Sequence, residues 1–166
     1  MGQYYKHKPK TNNVNLGDFW DNADDWKILI DRREAQYQIP PEIAASSMRP
    51  DLCMYSRKVK KCMLVELTAP FEDNIASWKA KKTEKYQDLV TSAKENGWNT
   101  VLKTVEVGAR GFVNMESMKL FRMLGVSQRK CDGIRREMSK VAIRTSHFIW
   151  INRKNVEWKT PVRVTQ

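Results

Sequence analysis

Between residues 72 and 96 the chain has neither proline nor glycine, and this stretch lies between two apolar, β-branched runs at 62–68 and 101–107. That order constrains the fold more than any other feature. A strand, a long helix and a second strand form a crossover, which lets the two strands pair in parallel. Within the stretch Ile75, Trp78, Lys82, Lys85 and Leu89 recur at steps of three and four, which predicts one helix over 72–96 with those residues on its inward stripe. Gly97 supplies its stop.

Before this unit, residues 26–31 and 35–39 are β-rich runs around Arg32-Arg33-Glu34 and suit a hairpin. Pro40-Pro41 opens a short helix to about Ser47, since proline at a helix start sacrifices no hydrogen bond, and Pro50 ends it. Strands at 52–56 and 62–68 are joined by the basic tip 57–61. Met118, Leu120, Phe121 and Leu124 indicate a short helix stopped by Gly125. A final helix at about 128–152 places Ile134, Met138, Val141, Thr145 and Phe148 on one face. The expected class is α/β, a central mixed sheet with helices on both faces. With 166 residues the chain holds one domain: a flexible basic arm at 1–16, a core at 17–125, and a basic C-terminal helix and tail at 126–166 packed on that core.

The chain carries 30 Lys and Arg against 19 Asp and Glu, a net charge of +11, so polyanions are its natural partners. The excess concentrates in residues 129–166, with ten basic residues against three acids. Arg129, Arg136, Lys140, Arg144 and His147 form a stripe opposite the apolar face of the last helix. It suits a surface that tracks a nucleic-acid backbone, and equally a plain solvated face. Trp150 and Trp158 suit base stacking or core cover. No apolar run approaches the roughly 20 residues of a membrane span, and residues 1–10 lack the apolar centre of a secretory signal. Cys53, Cys62 and Cys131 are too few and too scattered for a zinc pattern, and reduced thiols inside the cell are expected.

The sharpest chemical feature is Arg49-Pro50-Asp51 followed by Glu66, a carboxylate inside the apolar strand Cys62-Met-Leu-Val-Glu66. Burying a lone carboxylate is costly. If the strands at 52–56 and 62–68 form a hairpin, Asp51 and Glu66 come side by side and invite a hard divalent cation. The plainer alternative is an Asp that caps a turn and a Glu paired with a basic side chain. Two lysines on an inward helix stripe need anionic partners, unless both snorkel past Trp78. Glu106 and Arg110 flank a glycine-bounded turn, where Arg110 either contacts a phosphate or pairs with Glu106.

Four segments taken in order resemble the PD-(D/E)XK nucleases, and within them the restriction-like endonuclease domains of site-specific non-LTR retrotransposons. They are Arg49-Pro50-Asp51, residues 65–70, Lys82 with Lys85-Tyr86 and Leu89, and residues 106–112, together spanning about 20–125. The family motif has lysine at position 68, where this chain has Thr68; in the retrotransposon type the lysine has moved to the following helix, where Lys82 and Lys85 stand. The resemblance implies a restriction-endonuclease-like fold and metal-dependent hydrolysis of DNA phosphodiester bonds. Asp51 and Glu66 would hold Mg²⁺ or Mn²⁺. Lys82 would act on the attacking water or the transition state, with Lys85 as its alternate and Tyr86 against the phosphate. Glu42 is a further candidate outer ligand, although a Glu at a helix start has a simpler explanation. The implied activity is nicking of target DNA for retrotransposon integration, in the nucleus, with a reverse transcriptase in the same polyprotein as partner. The competing reading is a catalytically idle module of the same fold that binds nucleic acid.

Overall fold

The computed structural model describes residues 23–32 and 35–155. The arm at 1–16, Trp158 and the tail beyond 155 lie outside the described residues. The chain is a mixed α/β structure whose four-stranded sheet has the order β1-β2-β3-β4. Strands β1 (Lys27–Ile30), β2 (Leu52–Ser56) and β3 (Lys61–Thr68) pair antiparallel in sequence, and β4 (Asn99–Glu106) lies parallel to β3. The crossover between β3 and β4 runs through a 3-10 turn (Glu72–Asn74), α1 (Ile75–Lys85) and α2 (Gln87–Glu95). Gly97, at φ +79°, ends it as expected. After β4 come α3 (Met115–Met123), stopped by Gly125 at φ +80°, and α4 (Gln128–Asn152).

Period-two alternation gives the sheet two apolar faces. Cys53, Tyr55, Cys62 and Leu64 pack with Leu89, Val90 and Ala93 of α2 and with Ile39, Ile43 and Trp98. Met54, Met63 and Val105 pack on the other side with Leu120 of α3 and Met138 of α4. Glu66 follows Cys62 and Leu64 at steps of two, so its side chain extends the first of these faces.

Several elements differ from expectation. Among the described residues, 26–31 and 35–39 do not form a strand hairpin; β1 pairs with β2, and the bridge Arg32–Ala35 is the one pairing between the two regions. Residues 35–39 instead spend their side chains on anchoring, with Ile39 buried and the Tyr37 hydroxyl donating to the Pro50 carbonyl at 2.6 Å. The short helix after Pro40 is a single turn, closed by the Ile43 and Ala44 amides on the Pro40 carbonyl. There the Ser46 hydroxyl takes the Met48 amide, a local bond that competes with helix. The long helix is broken at Tyr86, whose φ of −102° and ψ of 6° leave the helical region. The Tyr86 ring is fully buried, and anchoring it displaces the backbone. Trp78 and Lys85, on α1 before the break, face solvent rather than the sheet. On α4 the packed residues are Cys131, Ile134, Met138 and Ala142, whereas Val141, Thr145 and Phe148 are exposed.

Candidate metal centre

The β2–β3 register pairs Leu52 with Val65, which sets Asp51 opposite Glu66 at one end of the sheet. The two carboxylates are held by each other's backbone. The Asp51 amide donates to Glu66 Oε2 at 3.2 Å, and the Leu67 amide donates to Asp51 Oδ2 at 2.6 Å. From α1, Lys82 Nζ donates to Glu66 Oε1 at 2.5 Å, an ion pair in which the Glu66 side chain is 5% exposed and Lys82 22%. Thr68 is buried and its hydroxyl has no hydrogen-bond partner among the described residues. The cation beside Glu66 comes from the helix, as Lys82.

Lys85 does not reach the carboxylates. Its ammonium lies 4.6 Å from the Tyr86 ring centre and donates to the Tyr86 hydroxyl at 3.0 Å, which in turn donates to the Arg49 carbonyl at 3.2 Å. Burial and the negative charge of Glu66 push the Tyr86 phenol far above its usual range, so it stays a neutral donor. Its hydroxyl ties the Arg49-Pro50-Asp51 segment to the helix junction through the Arg49 carbonyl.

Asp31 is a third carboxylate at this end, missed in the sequence. The β1–β2 register pairs Ile30 with Leu52, and the Asp31 amide donates to the Asp51 carbonyl at 2.9 Å. Asp31 Oδ2 stands 4.0 Å from Arg49 Nε, while Oδ1 is buried with no partner among the described residues. The available signal was the end of the apolar run Ile28-Leu-Ile-Asp31, which pairing β1 with β2 would have brought beside Asp51. Burial, together with the charges of Glu66 and Asp31, raises the Asp51 pKa above the usual carboxylate value against the Leu67 amide and Lys82. Disfavouring the carboxylate in this way leaves a demand for positive charge.

The donor set suits a hard divalent cation, because Asp51 and Glu66 offer only oxygen. Among the described residues no group of three or more His, Cys, Asp or Glu side chains is gathered to hold a metal, so a cation at Asp51 and Glu66 would keep waters in its shell, as Mg²⁺ does. No family model, curated protein or solved structure matches the chain. The chemistry of the site therefore rests on these residues alone.

The remaining candidates are placed as follows. Glu42 pairs with Arg57 at the hairpin tip and does not join the carboxylates. Arg110 pairs with Glu72 and not with Glu106, its Nε donating to Glu72 Oε2 at 2.9 Å. Glu106 is wholly buried and accepts from Asn114 at 3.2 Å; its Oε1, like the hydroxyl of its register partner Thr68, has no partner among the described residues. On α4, Arg129, Arg136, Lys140, Arg144 and His147 are all exposed, and Lys140 pairs with Glu137 at 2.8 Å. Trp150 is exposed with the Arg153 guanidinium 3.9 Å from its ring centre. A cleft of about 310 Å³ along β4 is lined by Lys79, Lys103, Lys119 and Glu116 and does not include Asp51 or Glu66. Among the described residues no helix is long and apolar enough to cross a membrane.

Proposed function

We propose that this chain is a metal-dependent DNA endonuclease of the PD-(D/E)XK type that hydrolyses phosphodiester bonds. The observation that carries this reading is the convergence of Asp51, just before β2, Glu66 from β3 and Lys82 from α1 at one sheet end. Mg²⁺ or Mn²⁺ held there would polarise the scissile phosphate and lower the pKa of a bound water. Lys82 is an ammonium with three N–H donors, one of which is used on Glu66. The others would orient the attacking water and stabilise charge that develops on the phosphoryl oxygens. The basic stripe on α4 supplies affinity for the backbone. The reading extends to nicking of target DNA for retrotransposon integration in the nucleus, beside a reverse transcriptase of the same polyprotein.

Nicking of supercoiled plasmid, run with Mg²⁺, Mn²⁺, Ca²⁺ or EDTA, tests the reading. Nicks are expected with Mg²⁺ and Mn²⁺ only, and Asp51→Ala or Glu66→Ala should abolish them while DNA binding persists. Metal-independent cleavage, or full activity of either variant, would overturn the site. One observation favours the idle nucleic-acid-binding module: both Glu66 oxygens are already engaged, by Lys82 and by the Asp51 amide. On that reading binding persists and no metal yields nicks.

A further inference from the structure

At the end of the sheet where Glu66 stands, two loops are clamped together. The Val107 amide donates to the Thr68 carbonyl at 2.9 Å, and the Ala109 amide to the Pro70 carbonyl at 2.8 Å. On this base Phe71 lies with the Arg110 guanidinium carbon 4.6 Å from its ring centre. Both are open to solvent, Phe71 at 47% and the Arg110 side chain at 65% exposure. Exposed cation–aromatic pairs are usually mobile, but this one is fixed from below. Glu72, only 15% exposed, takes the Arg110 amide on Oε1 at 2.7 Å and Arg110 Nε on Oε2 at 2.9 Å. Glu72 fits there because residue 108 is glycine; a Cβ at that position would lie 2.7 Å from the Glu72 carboxyl carbon.

The arrangement changes what Arg110 can do. With a carboxylate on its Nε edge, its charge is largely offset, which weakens it as a simple phosphate contact. What remains is a flat guanidinium lying 4.6 Å from the centre of an aromatic ring and tethered by Glu72. Such plates stack on nucleobases, whose π faces are hidden in a paired duplex and open only where a base is unpaired. We propose that Phe71 and Arg110 form a stacking platform for an unpaired nucleobase, so that the substrate is DNA with locally unpaired bases beside the scissile bond. The assignment of the substrate rests on the nuclease reading; the platform itself does not.

The test measures binding in EDTA, where no cleavage occurs, with the full chain and 2-aminopurine oligonucleotides as probes. A single-stranded probe and a duplex with one unpaired 2-aminopurine should be quenched on binding and bind more tightly than the fully paired duplex. Stacking is worth about 1–3 kcal/mol per base, so Phe71→Leu, which keeps an apolar side chain but removes the ring, should weaken the unpaired probes roughly 5- to 150-fold. Phe71→Tyr should restore binding and quenching. Arg110→Ala should weaken the unpaired probes more than the paired duplex. Wild-type quenching in Phe71→Leu, or equal affinity for paired and unpaired probes, would overturn the proposal. Plasmid nicking by the same variants keeps the two readings apart: ring-dependent quenching without metal-dependent nicking would remove the nuclease and leave the platform, and the converse would remove the platform alone.

Discussion

Lys82 and Glu66 form the most buried ion pair at the candidate centre, and removing the lysine alone should expose what the centre is for. In Lys82→Ala the Glu66 carboxylate, 5% exposed in the parent, loses its cation. Breaking a buried pair from one side costs about 3–5 kcal/mol because a charge is left uncompensated. Two features set the value at the lower end: Glu66 keeps the Asp51 amide at 3.2 Å, and Lys82 is 22% exposed, so water enters part of the vacated space. The expected loss is about 3 kcal/mol. For a chain of this size that lowers Tm by roughly 6–12 °C.

A divalent cation should then do more for the variant than for the parent. In the parent Lys82 competes for Glu66 Oε1, whereas in the variant that oxygen is open. At Mg²⁺ about 100-fold above its Kd, binding to the folded state contributes about 2.7 kcal/mol, enough to offset most of the loss. The measurement is thermal unfolding by circular dichroism with and without Mg²⁺, for the parent, Lys82→Ala, and Lys82→Ala combined with Glu66→Gln. The double variant should recover most of the stability without metal and lose the Mg²⁺ response, since the uncompensated charge is gone. A Lys82→Ala loss below about 1 kcal/mol would show that the pair is only a solvated contact. An equal Mg²⁺ shift in all three proteins would show that the cation binds elsewhere.

Lys82→Ala should lower single-turnover nicking by about 10²–10⁴-fold and Lys85→Ala far less, because only Lys82 touches Glu66; the reverse order would move the role to Lys85. Changing Arg136 and Lys140 together to Gln should weaken DNA binding whatever the sequence and flatten the salt dependence of log affinity by about one per contact removed; an unchanged slope marks the stripe as a solvated face. Asp25 caps the β2–β3 tip through the Arg57 and Lys58 amides and Ser56, and although burial opposes it these bonds hold its pKa below the usual value. Its contribution is therefore full above the unfolded-state pKa near 4 and is lost as pH falls through the lower folded value; acid unfolding of Asp25→Asn should lack that component.

The parallel β3–β4 pair, its glycine stop and the last two helices were legible because each is governed by local pattern: apolar period, helix length and the positive φ that glycine tolerates. The failures lie where a long-range contact overrides such a pattern. Residues 26–31 and 35–39 have hairpin spacing, yet β1 gains more by pairing along β2, while Tyr37 and Ile39 are drawn to the Pro50 carbonyl and the core. The residue that breaks the long helix, Tyr86, has a helix propensity only modestly worse than its neighbours. Its ring is buried and its hydroxyl reaches the Arg49 carbonyl, far away in sequence, and no window centred on the helix contains that information.

The same distinction explains the site. Asp51 and Glu66 were readable as a pair because hairpin register follows from the length of a single tip, and Lys82 was readable because it lies on the stripe that faces β3. Asp31 was not, since its place depends on which strand β1 chooses. Lys85 was assigned inward by periodicity alone, and its ammonium lies instead over the ring of its own neighbour Tyr86. Two lysines three residues apart thus separate into an ion-pair partner of Glu66 and a cover for Tyr86. Between the two lysines and the core stands Tyr86, with its buried ring and its hydroxyl on the Arg49 carbonyl. Tyr86→Ala should accordingly disturb both ammoniums at once, whereas Tyr86→Phe, which keeps the ring and loses only the Arg49 bond, should leave Lys82 on Glu66. Comparing their Mg²⁺ response with that of Lys82→Ala would decide whether ring or hydroxyl sets the geometry of the centre; a Tyr86→Phe response equal to that of Lys82→Ala would assign it to the hydroxyl.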